Sequence, residues 1–205
     1  MQVFYIHPEN PQPRLIEQVA DLLRKDQLII YPTDTSYAFG CRLGAKDALE
    51  KLKQIRALDD KHQFTLLCRD LSEIANYAAV DNVQFKQLKA HTPAPITFIL
   101  NATKDVPKKL AHAKKKTIGI RVPSNAIAQA LLEAMDEPIL TSSLILPNRD
   151  DILDDPFEIE ELLGNQIDGL INAGIKTTKL TTIVDMTSSQ PEIIRQGAAD
   201  VNSLL

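Results

Sequence analysis

Leu28-Ile29-Ile30-Tyr31-Pro32-Thr33-Asp34-Thr35-Ser36-Tyr37-Ala38-Phe39-Gly40-Cys41 runs an apolar strand straight into a cluster of hydroxyls, and that junction decides how the chain is read. Leu28–Tyr31 has the unbroken apolar character of a buried strand. Pro32 and Gly40 punctuate the hydroxyl-rich stretch beyond it, which places a loop over 32–45. Thr33, Thr35 and Ser36 with the single carboxylate Asp34 can orient a zwitterion or an oxyanion, but they supply no strong nucleophile. No catalytic residue is assigned, and the chemistry must be completed by residues elsewhere in the chain.

Working outward, Val3–Ile6 reads as a short strand, and Asn10-Pro11-Gln12-Pro13 as the entrance to a helix. Leu15, Ile16, Val19, Leu22 and Leu23 then recur at helical spacing through Lys25. Ala48, Leu49, Leu52 and Ile55 mark a second helix that ends near Arg56. Phe64–Cys68, Ile96–Leu100, Thr117–Val122 and Ile139–Thr141 read as strands, and Leu71–Tyr77 and Val83–Ala90 as helices. Thr92-Pro93-Ala94-Pro95 forms a rigid turn. Ser124 reads as the N-cap of a helix with an inner face of Ile127, Ala130, Leu131 and Ala134. An acidic loop over 150–156, a helix over Phe157–Leu163 and strands over Ile167–Ile171, Thr181–Asp185 and Glu192–Arg195 complete the chain. Strands and helices mix without a clean βαβ alternation, which points to an α/β domain with a mixed sheet. Seven glycines and no glycine fingerprint after a strand argue against a dinucleotide-binding loop.

The 205 residues, 44% of them hydrophobic, suffice for one domain with a proper core, and no apolar run is long enough to span a membrane. The start of the chain lacks the features of a signal peptide, which points to a cytoplasmic protein. Cys41 and Cys68 lie at the ends of apolar segments without paired spacing, so they read as buried thiols, and no metal site is expected. The four histidines are scattered, and a net charge of −4 gives no global attraction to nucleic acid. Lys108-Lys109 and Lys114-Lys115-Lys116 form a local basic run that reads as a solvated face.

Hydroxyls and arginines dominate the remaining candidates. Arg56 stands at a helix end, where the helix dipole alone favours a cation. Arg121 lies within the apolar strand Ile118-Gly119-Ile120-Arg121-Val122 and needs a carboxylate or phosphate partner, supplied either by a structural ion pair or by a ligand. Thr141-Ser142-Ser143 closes a strand, so alternate hydroxyls face one side. Arg195, before Gly197, either caps the sheet or reaches a phosphate.

Taken together, the 31–41 segment, Arg56, Arg121-Val122-Pro123, Thr141-Ser142-Ser143 and the tail from Thr181-Thr182-Ile183-Val184-Asp185 to Arg195-Gln196-Gly197 resemble the YrdC/YciO-type family, which is similar to threonylcarbamoyl-adenylate synthases. The match is closest to the YciO-like branch. The resemblance implies one YrdC-like domain over 1–205, a twisted mixed parallel and antiparallel sheet with helices around a concave cavity. It implies L-threonine, bicarbonate and ATP with magnesium as substrates. The threonine amine becomes a carbamate that attacks the α-phosphate and expels pyrophosphate, a step linked to threonylcarbamoyladenosine modification of transfer RNA. Thr35, Arg121, Thr141 and Thr181 would face the threonine, and Arg56, Thr117, Ser143 and Arg195 the nucleotide.

Four departures from the family pattern qualify that activity. Gln54 takes the place of a lysine two before the arginine, and Ile145 the place of an asparagine after Ser143. Leu146-Pro147-Asn148-Arg149-Asp150 replaces a Ser-Gly-rich loop, and Ala94 a glycine. The resemblance therefore implies a weak or altered synthase. The rival readings are a hydrolase or transferase acting on a carbamoyl or acyl adenylate, and a non-enzymatic protein that binds transfer RNA or double-stranded RNA through its phosphates.

Overall fold

The computed structural model describes residues 1–59, 61–149, 151–176 and 179–204. Asp150 is outside this set, and with it the first residue of the expected acidic loop and the last of the 146–150 segment.

The chain opens with β1 (Gln2–Tyr5) and α1 (Pro13–Arg24), whose proline at the first helical position suits the fixed φ of a helix start. Next come β2 (Ile29–Pro32), β3 (Tyr37–Arg42), α2 (Lys46–Arg56) and β4 (Thr65–Leu67). The middle holds α3 (Leu71–Tyr77), β5 (Ala78–Ala79), α4 (Asn82–Ala90), β6 (Ile96–Ala102) and β7 (Thr117–Arg121). Asp81 and Gln84 start α4 with a reciprocal capping box. The remainder is α5 (Ala126–Met135), β8 (Ile139–Ser143), α6 (Pro156–Leu163), β9 (Gly169–Asn172), β10 (Thr182–Asp185) and β11 (Glu192–Arg195).

All the strands join one sheet in the order β1-β9-β2-β3-β8-β4-β7-β6-β10-β11, with β5 pairing β6 off this path. Parallel pairs (β1/β9, β2/β9, β4/β7, β6/β10) mix with antiparallel ones (β2/β3, β3/β8, β4/β8, β6/β7, β10/β11). The mixed α/β sheet expected from the sequence is what forms.

The two faces of the sheet are covered differently. Leu28, Ile30, Tyr37, Phe39 and Cys41 pack with Ala48, Leu49 and Leu52 of α2 on one face. On the other, Ile29, Tyr31 and Ala38 pack under Ile16, Val19, Ala20 and Leu23 of α1 and Ile127, Ala128, Leu131, Leu132 and Met135 of α5. That second face continues beyond the helix pair as small and polar residues. Register sets Ala38 opposite Ser143, Gly40 opposite Thr141, and Thr141 opposite Thr65. It then sets Thr65 opposite Gly119, Ile99 opposite Gly119, Thr97 opposite Ile183, and Ile183 opposite Arg195. Directly opposed residues share a face, as do residues two apart on one strand. One row of hydroxyls, glycines and arginines therefore crosses the sheet where no helix covers it.

Two of the glycines in this row are required by close approach. A Cβ on Gly40 would lie 2.7 Å from the Tyr31 ring, and one on Gly119 would lie 2.5 Å from the Thr65 hydroxyl.

Three local expectations are corrected. The loop placed over 32–45 contains β3, because both faces of that strand are buried and it shows no apolar–polar alternation. The N-cap of α5 is Asn125, whose Oδ1 accepts from the Ala128 N–H at 3.0 Å, while the Ser124 hydroxyl turns to Asp34. The inner face of α5 includes Ala128, Leu132 and Met135, and Ala130 and Ala134 are only partly buried. Among the described residues no helix is long and apolar enough to cross a membrane.

Candidate active site

The polar row floors a cavity of about 140 Å³. Its walls bring together Thr35, Arg121, Thr141, Thr181, Arg56, Ser143 and Arg195, seven of the eight residues singled out from the sequence. Thr117 is the exception. Its hydroxyl donates to Gln63 Oε1 at 3.0 Å while Gln63 Nε2 donates back to the Thr117 carbonyl at 3.1 Å, so Thr117 positions the wall residue Gln63 from behind.

At one end, the loop between β2 and β3 is fixed by its own hydroxyls. Thr33 Oγ1 donates to the Ser36 carbonyl at 2.7 Å and accepts from the Thr35 N–H at 3.2 Å. Asp34 pairs with Arg121 and accepts from both the N–H and the hydroxyl of Ser124, at 3.1 and 3.0 Å. These contacts tie the loop to the start of α5, where Asn125 also reaches the Thr33 carbonyl at 3.3 Å. The Arg121 and Asp34 side chains are 7% and 8% exposed, so the pair is a buried structural one. The Asp34 carboxylate is consumed by the fold and is not available to hold a zwitterion's ammonium group.

Arg121 is not exhausted by that pair. One nitrogen, Nη2, serves both Asp34 and Thr35 Oγ1, while the buried Nε has no hydrogen-bond partner. Burial pulls the guanidinium down to about 10, with Arg195 pushing the same way and Tyr31 opposing, so it stays cationic at neutral pH. An unsatisfied donor on a buried cation is costly, and because this nitrogen is sealed from the cavity, what Arg121 offers a ligand there is its positive charge.

Thr141 and Thr181 differ in what they can offer. The Tyr31 hydroxyl donates to Thr141 Oγ1 at 2.8 Å, and Thr141 passes its own proton to the Phe39 carbonyl at 3.2 Å. Complete burial pushes Tyr31 up to about 12, which keeps it a neutral donor. Thr181 Oγ1 instead accepts twice, from Thr97 at 3.2 Å and from Arg195 Nη2 at 3.0 Å, and retains its proton for the cavity. Arg195 also donates to the Thr181 carbonyl through Nε at 3.0 Å and Nη2 at 2.8 Å, which holds β11 against the segment entering β10.

The opposite end belongs to Arg56. Its Nε donates to the Ile145 carbonyl at 3.1 Å and its Nη1 to the Ser142 hydroxyl, so it does more than cap α2: it ties that helix to the end of β8. Burial lowers its pKa. The Ile145 side chain presents hydrocarbon to the cavity, whereas Gln54 is exposed and stands outside the wall.

Four wall residues had not been singled out: His62, Gln63, Thr65 and Thr97. Thr65 and Thr97 are polar side chains inside apolar strands, the same signal that exposed Arg121. His62 and Gln63 precede β4 and carried no comparable signal.

The donor set fits an anion. Three guanidiniums and several hydroxyls converge on a space smaller than the roughly 300–1,000 Å³ of pockets that enclose a whole drug-sized ligand. It does not fit a protein-held magnesium ion, which takes one or two carboxylates: among the described residues no group of acidic or imidazole side chains could hold a metal, and Asp34 is already paired.

Residues 21–197 match the family model for Sua5, YciO and YrdC, whose description is "Telomere recombination". The Escherichia coli protein YciO is 51% identical over 204 residues, covering 100% of this chain and 99% of that one. Its crystal structure superposes with a TM-score of 0.96. A Methanocaldococcus jannaschii protein named, provisionally, a threonylcarbamoyl-AMP synthase is 26% identical over 99% of this chain and 96% of its own. The crystal structure of P. abyssi Sua5 complexed with L-threonine, 20% identical, shares the fold with a TM-score of 0.87 over 96% of this chain and 58% of that one.

Proposed function

The chain belongs to the Sua5–YciO–YrdC family, and from that premise we propose that its cavity binds L-threonine and the α-phosphoryl group of a nucleotide as a weak or altered threonylcarbamoyl-adenylate synthase. The observation that carries this reading is the convergence of three guanidiniums, Arg56, Arg121 and Arg195, with the hydroxyls of Thr35, Thr181 and Ser143 on one cavity. A carboxylate in the cavity is drawn to the Arg121 charge beside Thr35, and the Thr181 hydroxyl has a proton to donate to it. The solved relative with L-threonine bound supports an amino acid as the occupant. Arg56 and Arg195 would neutralise phosphoryl charge, which is the main help phosphoryl transfer asks of a protein. The enclosed volume suits the reacting groups, and the adenosine would lie towards the mouth.

ATP enters as a substrate, with magnesium arriving on its phosphates rather than on protein ligands. The product would feed threonylcarbamoyladenosine modification of transfer RNA. The erosion of the Arg56 end, with Ile145 in the wall and Gln54 out of it, is what would make the activity weak or altered. Lys114–Lys116 form no part of this wall, so an RNA backbone would have to bind outside it.

Calorimetric titration with L-threonine, followed by product analysis with ATP, bicarbonate and L-threonine, tests the reading. Binding that is lost in Arg121→Ala, together with threonine-dependent pyrophosphate release, supports it. No threonine binding, and nucleotide binding that collapses between low and moderate salt, would replace it with a surface polyanion site.

A further inference from the structure

His62 is a cavity residue for which neither the family pattern nor the hydroxyl framework has a use. It follows α2, with its backbone N–H held by the Asp59 carbonyl at 3.2 Å, and its ring meets Phe64 edge to face with centroids 4.9 Å apart at 78°. These contacts fix where the ring lies without using its nitrogens: among the described residues neither imidazole nitrogen has a hydrogen-bond partner. A partly buried imidazole whose nitrogens are unspoken for, on the wall of an anion cavity and beside a guanidinium, is equipped to take a proton.

We propose that His62 is a general base that directs this cavity towards hydrolysis of carbamoyl or acyl adenylates. This deepens the function proposed above and rests on it, because the adenylate must occupy the same cavity. The α-phosphorus is the electrophile in both reactions, with water taking the place of the carbamate. His62 removes a proton from that water as its oxygen bonds to phosphorus. The P–O bond to the carbamoyl group breaks, and the electron pair leaves with the carbamate oxygen. The products are AMP, carrying one oxygen from water, and the free carbamate, with the proton left on the imidazole.

Two features of the site favour this role. Burial, then the Arg56 charge, hold His62 down at about 4 against a weaker opposing pull from Asp59, so the imidazole is neutral at physiological pH. An adenylate phosphoryl group on Arg56 would cancel part of that repulsion and make the bound-state imidazole more basic, closer to what proton abstraction requires. Ile145 works in the same direction. It offers no polar contact to a nucleotide or its metal shell, which weakens the synthetic reaction without hindering water attack on an adenylate already formed.

The test uses the full chain, enzymatically prepared L-threonylcarbamoyl-adenylate and the non-hydrolysable sulfamoyl analogue of threonyl-adenylate. Wild type should bind the analogue and release AMP well above the uncatalysed rate. His62→Gln should retain analogue affinity while AMP release falls by about 10²–10⁴-fold, the usual worth of a general base. The acid-side fall in rate that wild type shows as His62 takes a proton should vanish in the variant, a change that a packing role would not produce. In ¹⁸O-labelled water the label should enter AMP. Unchanged AMP release in folded His62→Gln, label in the released carbamate, or a wild type that binds the analogue without accelerating AMP release would each overturn the His62 assignment and leave the binding site standing. Failure of wild type to bind the analogue would instead remove the proposed function, and His62 with it.

Discussion

The two arginine ends of the cavity are built on opposite principles. Arg121 is locked by Asp34, which is held in turn by Ser124 at the start of α5, so its position is fixed by the β2–β3 loop and by the turn that follows its own strand. Arg56 leans on one carbonyl and one hydroxyl of the β8 terminus and shares its end with the His62 imidazole and an isoleucine. The first end is part of the fold's stability and cannot change its chemistry cheaply. The second can be altered one side chain at a time, and Ile145, the departure from the family pattern that lines the cavity, stands there.

Arg121→Ala breaks this contrast most severely. It leaves the Asp34 carboxylate buried without its cation, so the chain should lose about 3–5 kcal/mol in urea denaturation along with L-threonine binding. A stable variant with unchanged threonine affinity would show that the locked end is neither structural nor a site.

Alkaline titration probes the locked end without mutation. Tyr31 and Tyr37 are each pushed up to about 12, by burial in both cases. The unfolded chain ionises near pH 10 while the folded chain holds its protons to about 12. The folded state then binds more protons, and stability falls as pH rises through that window, by about 2–3 kcal/mol per tyrosine. Urea midpoints from pH 9 to 11.5, compared between wild type and Tyr31→Phe, isolate the Tyr31 share, because the raised thiols of Cys41 and Cys68 add to the fall and the lowered Arg121 opposes it.

Arg56→Ala should be milder, costing about 1–2 kcal/mol for two hydrogen bonds from a partly exposed cation. Nucleotide affinity should drop, and the His62 midpoint read by NMR should rise from about 4, since removing a neighbouring cation favours the imidazolium. A stability loss as large as that of Arg121→Ala would erase the distinction between the ends.

The smallest effects concern activity alone. Ile145→Asn restores a polar group to the cavity wall and should raise threonine-dependent pyrophosphate release several-fold. Gln54→Lys, on an exposed position outside the wall, should add little to it. Pyrophosphate assays on both single variants and the double, each checked for folding, decide this. A larger gain from Gln54→Lys would mean that the lysine reaches the phosphates from the rim.

Much of this protein was fixed by local pattern. The helical spacing of Ile16, Val19 and Leu23, the apolar run Ile118–Val122 and the turn residues around 92–95 determined the element types and the mixed α/β class, because burial on one face imposes its period on the sequence. Arg121 was legible as a site residue for the same reason, a charge standing where the period demands hydrocarbon. Tertiary structure alone decided what those residues meet. That Asp34 belongs to Arg121, that Thr117 stands behind Gln63, that β3 hides in a stretch read as loop, and that His62 opens onto the cavity all depend on strands far apart in sequence becoming neighbours. Register and packing set those meetings, and neither leaves a periodic trace in the chain.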